Sequence, residues 1–222
     1  RSALYPEVNR MAGSGTAHLR GEEALLSVQD LVVEYPTDAG TVQAVSKISF
    51  DVLAGETLGI VGESGCGKST TGRAVLRLDR VTSGRIRFGE EWIEGASEKH
   101  MRSLRRDMQM IFQDPVSSLN PRRAVKDIVV EGMTIAGASS ESREKASASV
   151  LEQVGLPGDR FANVLPRQLS GGQAQRVAIA RALALEPRLL ICDEPVSALD
   201  VSVQAQILNL IEELKTKFAL TV

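Results

Sequence analysis

The chain has 222 residues, of which 43% are hydrophobic and 24% charged, enough for a packed core in one large domain or a domain with a small satellite. Its 26 basic and 28 acidic residues leave a net charge of -2, which argues against a dedicated nucleic-acid binder with its basic excess. No apolar run is long enough to span a membrane, and residues 1–20 lack the apolar core of a signal peptide, so a membrane role is expected to come through a partner.

Residues 1–23 are rich in Gly, Ser, Ala and charge without a sustained period, and read as a tail or linker. The globular part is expected from about residue 24. Leu25 to Glu34 and Val42 to Leu53 look like paired strands around the turn-prone Pro36 to Gly40. Glu56 to Val61 is expected as a short apolar strand, and Lys68 to Leu78 as a helix. Arg85 to Phe88 and Met108 to Phe112 are further strand candidates. From Arg122 to about Leu156 the pattern is helical. Gly171 to Leu185 reads as a helix, and the unbroken apolar run Arg188 to Cys192 as a buried strand. Val201 to Phe218 is amphipathic, with Ile207, Leu210, Ile211, Leu214 and Phe218 on one face. Alternating strands and helices with one all-helical insert predict an α/β core plus a helical subdomain. Cys66 and Cys192 read as reduced thiols of a cytosolic setting.

Gly62-Glu63-Ser64-Gly65-Cys66-Gly67-Lys68-Ser69 matches the phosphate-loop pattern GxxxxGK[ST]. Its glycines let backbone N–H groups converge on phosphates, and the following helix adds the positive end of its dipole. Lys68 is placed to reach the β- and γ-phosphates of ATP and the Ser69 hydroxyl, with Thr70 beside it, to ligate Mg²⁺. Leu189-Leu190-Ile191-Cys192-Asp193-Glu194 is an apolar strand ending in two carboxylates. Downstream of a phosphate loop, Asp193 is expected to orient Mg²⁺ through water and Glu194 to act as the general base. Leu169-Ser170-Gly171-Gly172-Gln173 opens a helix with a serine and two glycines, an anion-binding terminus or, in isolation, an ordinary helix cap.

That pentapeptide, continued as Ala174-Gln175-Arg176-Val177-Ala178-Ile179-Ala180-Arg181, resembles the signature of ABC transporter ATPases. The resemblance implies a phosphate-loop NTPase core, a mixed sheet flanked by helices, with an antiparallel β subdomain and a helical insert over roughly 108–160. It also implies that a second ABC ATPase domain pairs head to tail, each ATP lying between one chain's phosphate loop and the other's Ser170, Gly171, Gly172 and Gln173. Tyr35 is similar to the adenine-stacking aromatic, core packing being its alternative. Gln113, in Phe112-Gln113-Asp114-Pro115, resembles the glutamine that touches Mg²⁺ and water, and Ser197-Ala198-Leu199-Asp200 the loop that communicates across the pair. The family's γ-phosphate histidine is expected beyond Val222, since neither His18 nor His100 stands in its place.

The wording of residues 56–78, 108–122 and 189–211 resembles the ATP-binding subunits of bacterial dipeptide and oligopeptide importers, a group that includes nickel and glutathione importers. It implies two integral membrane permease subunits, an extracytoplasmic solute-binding protein, and a place on the cytoplasmic face of the cell membrane. Residues 1–23 resemble the junction between fused ATPase halves. A soluble nucleotide-gated clamp acting on DNA or ribosomes is the rival, but the stretch from Lys68 to Gln113 is too short for its long coiled coil, and the charge is slightly negative. An exporter, usually fused to its membrane domain, is the third reading.

Overall fold

The structure, a computed structural model, describes residues 19, 23–38 and 40–222. The tail expected over 1–23 and His18 fall almost wholly outside the described residues. Two compact units divide at Met101, residues 1–101 and 102–222.

In the first unit, β1 (Ala24–Thr37) and β2 (Gly40–Leu53) pair antiparallel, and β3 (Ser83–Phe88) and β4 (Glu91–Trp92) extend the sheet in the order β2-β1-β3-β4. Leu26, Val28, Leu31 and Val33 of β1 are buried together with Ile86 and Phe88 of β3, so the branched residues that favour a pleated surface also supply this unit's core. Between β2 and β3 lies α1 (Lys68–Val75), which buries Thr71, Ala74 and Val75 and packs on β1 and β2. The strand expected over 56–61 does not form: these residues carry no ladder, and Val61 is 95% exposed. An apolar run becomes a strand only where a neighbour takes its N–H and C=O groups, and the nearest bond, Glu56 N–H to the Leu53 carbonyl, closes a turn instead. His100 is exposed and hydrogen-bonds Glu91, as expected of a surface residue.

The division falls within α2 (Glu98–Asp107). In the second unit β5 (Met108–Ile111) lies parallel to β6 (Leu189–Cys192), Met108 opposite Leu189 and Ile111 opposite Cys192. Thr221 bridges Leu189 on the other side, where its carbonyl accepts from Leu190 N–H at 2.8 Å. The first residues of the stretch assigned to the helical insert therefore belong to this pair. Helices follow from Pro115: α3 (Pro115–Ser118), α4 (Val125–Val129), α5 (Glu131–Ile135), α6 (Ser140–Gln153) and α7 (Gly158–Phe161). Next come α8 (Gly171–Leu183) and α9 (Val201–Phe218), with β6 between them.

One core unites them, with Ile111 and Leu190 from the strands, Val125, Ile128 and Leu151 from the early helices, Val177 and Ile179 from α8, and Ile207 and Leu214 from α9. Each fully buried Leu or Ile contributes roughly 1.5–3 kcal/mol. α8 buries residues on every side, which is why its sequence shows little amphipathic period. α9 buries Ile207, Leu210, Ile211 and Leu214 as expected, but Phe218 is 37% exposed. The helix stops there, at Ala219 with φ 50, so the last turn leaves the core face. Among the described residues, no helix is long and apolar enough to cross a membrane.

Candidate active site

Gly62 to Gly67 form an exposed loop that turns into α1, with Ser64 and Gly65 at its tip. Gly67 is the N-cap, with φ 94 and no side chain to cap with, and a Cβ there would come within 2.2 Å of the Ala44 carbonyl oxygen. Only glycine fits this left-handed, crowded position. Lys68 folds its ammonium back over the loop, donating to the carbonyl oxygens of Gly62 at 3.0 Å and Glu63 at 2.9 Å. Ser69 and Thr70 are half-buried in the first turn, where the helix presents its positive end. Cys66 is exposed, and its N–H donates to the Glu63 carbonyl at 3.3 Å.

Tyr35 is 38% exposed, so it is not a core side chain. Its hydroxyl donates to Asp79 Oδ2 at 2.8 Å, and Asp79 is also paired with Arg73 at 3.0 Å. Partial burial of the phenol, then the Asp79 hydrogen bond, raise its pKa above the ordinary 10.0. The ring is thus held by its hydroxyl and stays partly exposed. Asp79 and the Ala44 carbonyl went unseen in the sequence, because nothing local marks a partner so distant along the chain.

In the second unit the parallel pairing brings the carboxyl ends of β5 and β6 together, the place where α/β sheets present binding groups. Asp193 N–H donates to the Ile111 carbonyl at 2.9 Å, carrying the ladder one residue past β6. Glu194 then turns into the left-handed region at φ 45, a conformation that costs a non-glycine residue roughly 1–2 kcal/mol. The Ser197 N–H and Oγ each hold the Glu194 carbonyl at 3.1 Å. With its backbone so fixed, Glu194 accepts a hydrogen bond from Gln113 Nε2 at 2.9 Å through Oε2. The structure brings Gln113 to Glu194, with Asp193 next to Glu194 in the chain; the backbone turn at Glu194 had no sequence signal. Cys192, last in β6, is a thiol that desolvation pushes up to about 12, so it stays protonated at neutral pH.

Ser170 caps α8: its Oγ accepts from Gln173 N–H at 3.3 Å, and Gln173 Oε1 accepts from Ser170 N–H at 2.9 Å. The ordinary capping reading of the pentapeptide is therefore realised, as a capping box. The glycines add something a cap does not need. A Cβ on Gly172 would lie 2.7 Å from Val203 Cγ1, and one on Gly171 3.3 Å from Leu199 Cδ2. Small residues thus let the start of α8 close on the segment carrying Asp200, which is exposed and leaves its carboxylate out of the α9 cap.

A family model described as ABC transporter matches residues 45–197, from β2 through the phosphate loop to the segment after Glu194. The chain belongs to that family. This ABC transporter chain is 50% identical over 202 residues to the oligopeptide transport ATP-binding protein OppF of Bacillus subtilis (strain 168), covering 90% of the chain and 66% of OppF. It is 44% identical over 203 residues to the di/tripeptide transport ATP-binding protein DppF of Pseudomonas aeruginosa (strain UCBPP-PA14), covering 88% of the chain and 62% of DppF. The chain spans less than two thirds of the length of these relatives. Among solved structures, the dimeric ATP-binding cassette MJ0796 in a post-hydrolysis state bound to ADP and Pi matches at TM-score 0.80 and 30% identity, over 89% of this ABC chain and 85% of that one.

Proposed function

We propose that the chain is the ATP-binding and ATP-hydrolysing part of an importer for dipeptides and oligopeptides. The observation that carries the hydrolytic half is the Gln113–Glu194 hydrogen bond of 2.9 Å at the carboxyl ends of β5 and β6. The peptide half rests on relatives named for oligopeptide and di/tripeptide transport.

The residues fit the nucleotide by their chemistry. Lys68 rests on exposed loop carbonyls and can exchange them for phosphate oxygens. Gly62, Glu63, Ser64, Gly65, Cys66 and Gly67 provide the loop backbone, Ser69 and Thr70 the first helical turn, and Tyr35 a partly exposed aromatic ring for the adenine. Ser69, Gln113 and Asp193 offer hydroxyl, amide and carboxylate oxygens, the donor type a hard cation such as Mg²⁺ takes. Bound Mg·ATP supplies the phosphoryl group and neutralises its charge. Glu194 accepts the proton of the attacking water, its carboxylate steered by the Gln113 amide. Ser170, Gly171, Gly172, Gln173 and Asp200 serve the nucleotide of a second ABC ATPase domain paired head to tail with this one, a reading supported by the description of MJ0796 as dimeric.

On the cytoplasmic face of the membrane the ATPase engages two integral membrane permease subunits, and an extracytoplasmic binding protein delivers the solute. A cleft of about 710 Å³ among the early helices of the second unit, lined by Lys126, Asp127, Arg143, Glu144, Glu152 and Asp159, is where we place the permease contact. The test is ATP turnover by the full-length protein assembled with its membrane subunits in vesicles. Binding protein loaded with a di- or oligopeptide is expected to stimulate turnover severalfold. Stimulation by nickel or glutathione alone would overturn the peptide assignment, and stimulation by DNA or ribosomes without membrane subunits would overturn the importer.

A further inference from the structure

The short helix α3 begins two residues after Gln113 and is a single turn, too brief to hold itself in water. Its N-terminal end is fixed by Asp114, whose Oδ1 accepts from the N–H groups of Val116 at 3.0 Å and Ser117 at 3.2 Å. These bonds, the one from Ser117 foremost, hold the Asp114 carboxyl below its usual range, so the cap is charged at neutral pH. Its C-terminal end is fixed from outside. Arg181, in the last turn of α8, donates through one guanidinium nitrogen to the Ser118 carbonyl at 2.7 Å and through the other to Ser118 Oγ at 3.3 Å. Ser118 is the last residue of α3, where a helix presents its negative end. Pro115, the first residue of α3, and Leu119, just past its end, are buried, and α3 packs on α8.

Burial lowers the Arg181 pKa from its ordinary 12.5, with the Glu131 charge acting the other way, and the guanidinium remains a cation. Glu131 is itself paired with Arg123 at 2.7 Å. A desolvated cation on a largely buried helix is unfavourable unless its donors are used. Here they are used on the segment that carries Gln113.

We propose that Arg181 is a positioning residue: it clamps α3 to α8 and so holds Gln113 where its amide meets the Glu194 carboxylate. The clamp touches neither the nucleotide nor the base, and it joins the Gln113 loop to the same helix that Ser170 caps at its other end. The inference rests on the reading of Glu194 as proton acceptor and Gln113 as its partner. Replacing Arg181 removes both bonds to Ser118 and frees the loop to shift by an ångström or so, a displacement that costs on the order of 10²-fold in rate at most.

The experiment is a kinetic cycle on the full-length protein with Arg181→Met, Arg181→Lys, Gln113→Ala, the double variant Arg181→Met/Gln113→Ala, and Glu194→Gln as reference. Arg181→Met is expected to lower kcat roughly 10- to 100-fold while KM for ATP stays within about twofold. Arg181→Lys, able to donate to the Ser118 carbonyl but without the fork, recovers part of that loss. In the Gln113→Ala background the Arg181→Met change has almost no further effect, because residues acting through one another are non-additive. An undiminished loss in that background, or a loss of thermal stability with kcat unchanged, overturns the proposal. Should Arg181→Met fail to fold, the same cycle run with Arg181→Lys/Gln113→Ala decides by the same criterion. If Glu194→Gln and Gln113→Ala both turn over at the wild-type rate, the reading of the site fails; if they are impaired and Arg181→Met is not, only this inference does.

Discussion

Gly67→Ala probes the phosphate loop where its geometry is most demanding. An alanine there keeps φ near 94 only at the left-handed penalty of roughly 1–2 kcal/mol. Its Cβ also meets the Ala44 carbonyl oxygen at 2.2 Å, a backbone atom of β2 that cannot rotate away. Relieving that overlap adds roughly 1–3 kcal/mol, so the total is roughly 2–5 kcal/mol by these two effects. Gly65→Ala is the control: φ is 81 but nothing lies within 4 Å of its added Cβ, so only the left-handed penalty applies. At roughly 2–4 °C per kcal/mol for a domain of this size, Gly67→Ala lowers Tm about twice as far as Gly65→Ala in nucleotide-free melts followed by circular dichroism. ATP at about 100 times Kd stabilises the wild type by about 2.7 kcal/mol, and that increment is expected to vanish in Gly67→Ala because the first turn of α1 must move. Equal losses in the two variants would show that the Ala44 carbonyl is no barrier and refute the reasoning.

Lys68→Ala deletes a cation that makes charge-assisted bonds, each worth roughly 1.5–3 kcal/mol, so affinity for a fluorescent ATP analogue should fall at least about tenfold; unchanged affinity removes Lys68 from the site. At pH 8 a thiol reagent is expected to label Cys66, which is exposed, and to spare Cys192, whose thiol is pushed up to about 12 by burial. Because that folded-state pKa is raised, the protonated Cys192 stabilises the fold below the ordinary thiol value near 9.0, and the contribution fades as pH rises through about 12. Saturating Mg·ATP should slow the labelling of Cys66; labelling of Cys192 alone, indifferent to ATP, contradicts both statements.

The chemistry-bearing segments were legible because their requirements are local. A glycine at a left-handed N-cap, a serine three residues before a glutamine, and an apolar strand ending in Asp-Glu each announce a backbone geometry, and Gly67, Ser170 and β6 adopt it. The extent of α9 was readable from its apolar period, apart from Phe218, where the last turn leaves the core. What escaped depends on partners far along the chain. The 56–61 run has the composition of a strand but no ladder, and composition does not supply one. Gly172 reads as part of a signature, whereas its crowding comes from Val203 on the next helix. Arg181 stands in an alanine-rich helix with nothing beside it to suggest that its guanidinium reaches Ser118.

The central claim, that Glu194 completes a hydrolytic site shared by two copies of this domain, is tested most directly by light scattering on the full-length Glu194→Gln protein with and without Mg·ATP. The substitution keeps the side chain's size and an oxygen for Gln113 Nε2 to donate to, and Glu194 is exposed, so folding should be little disturbed. It removes the proton acceptor, a change worth about 10²–10⁴-fold in rate. The expected result is a mass of one chain without nucleotide and a persistent two-chain mass with Mg·ATP, reverting to one chain when Ser170→Arg is added. A Glu194→Gln protein that stays a single chain in saturating Mg·ATP, or hydrolyses ATP within a few-fold of wild type, contradicts the account.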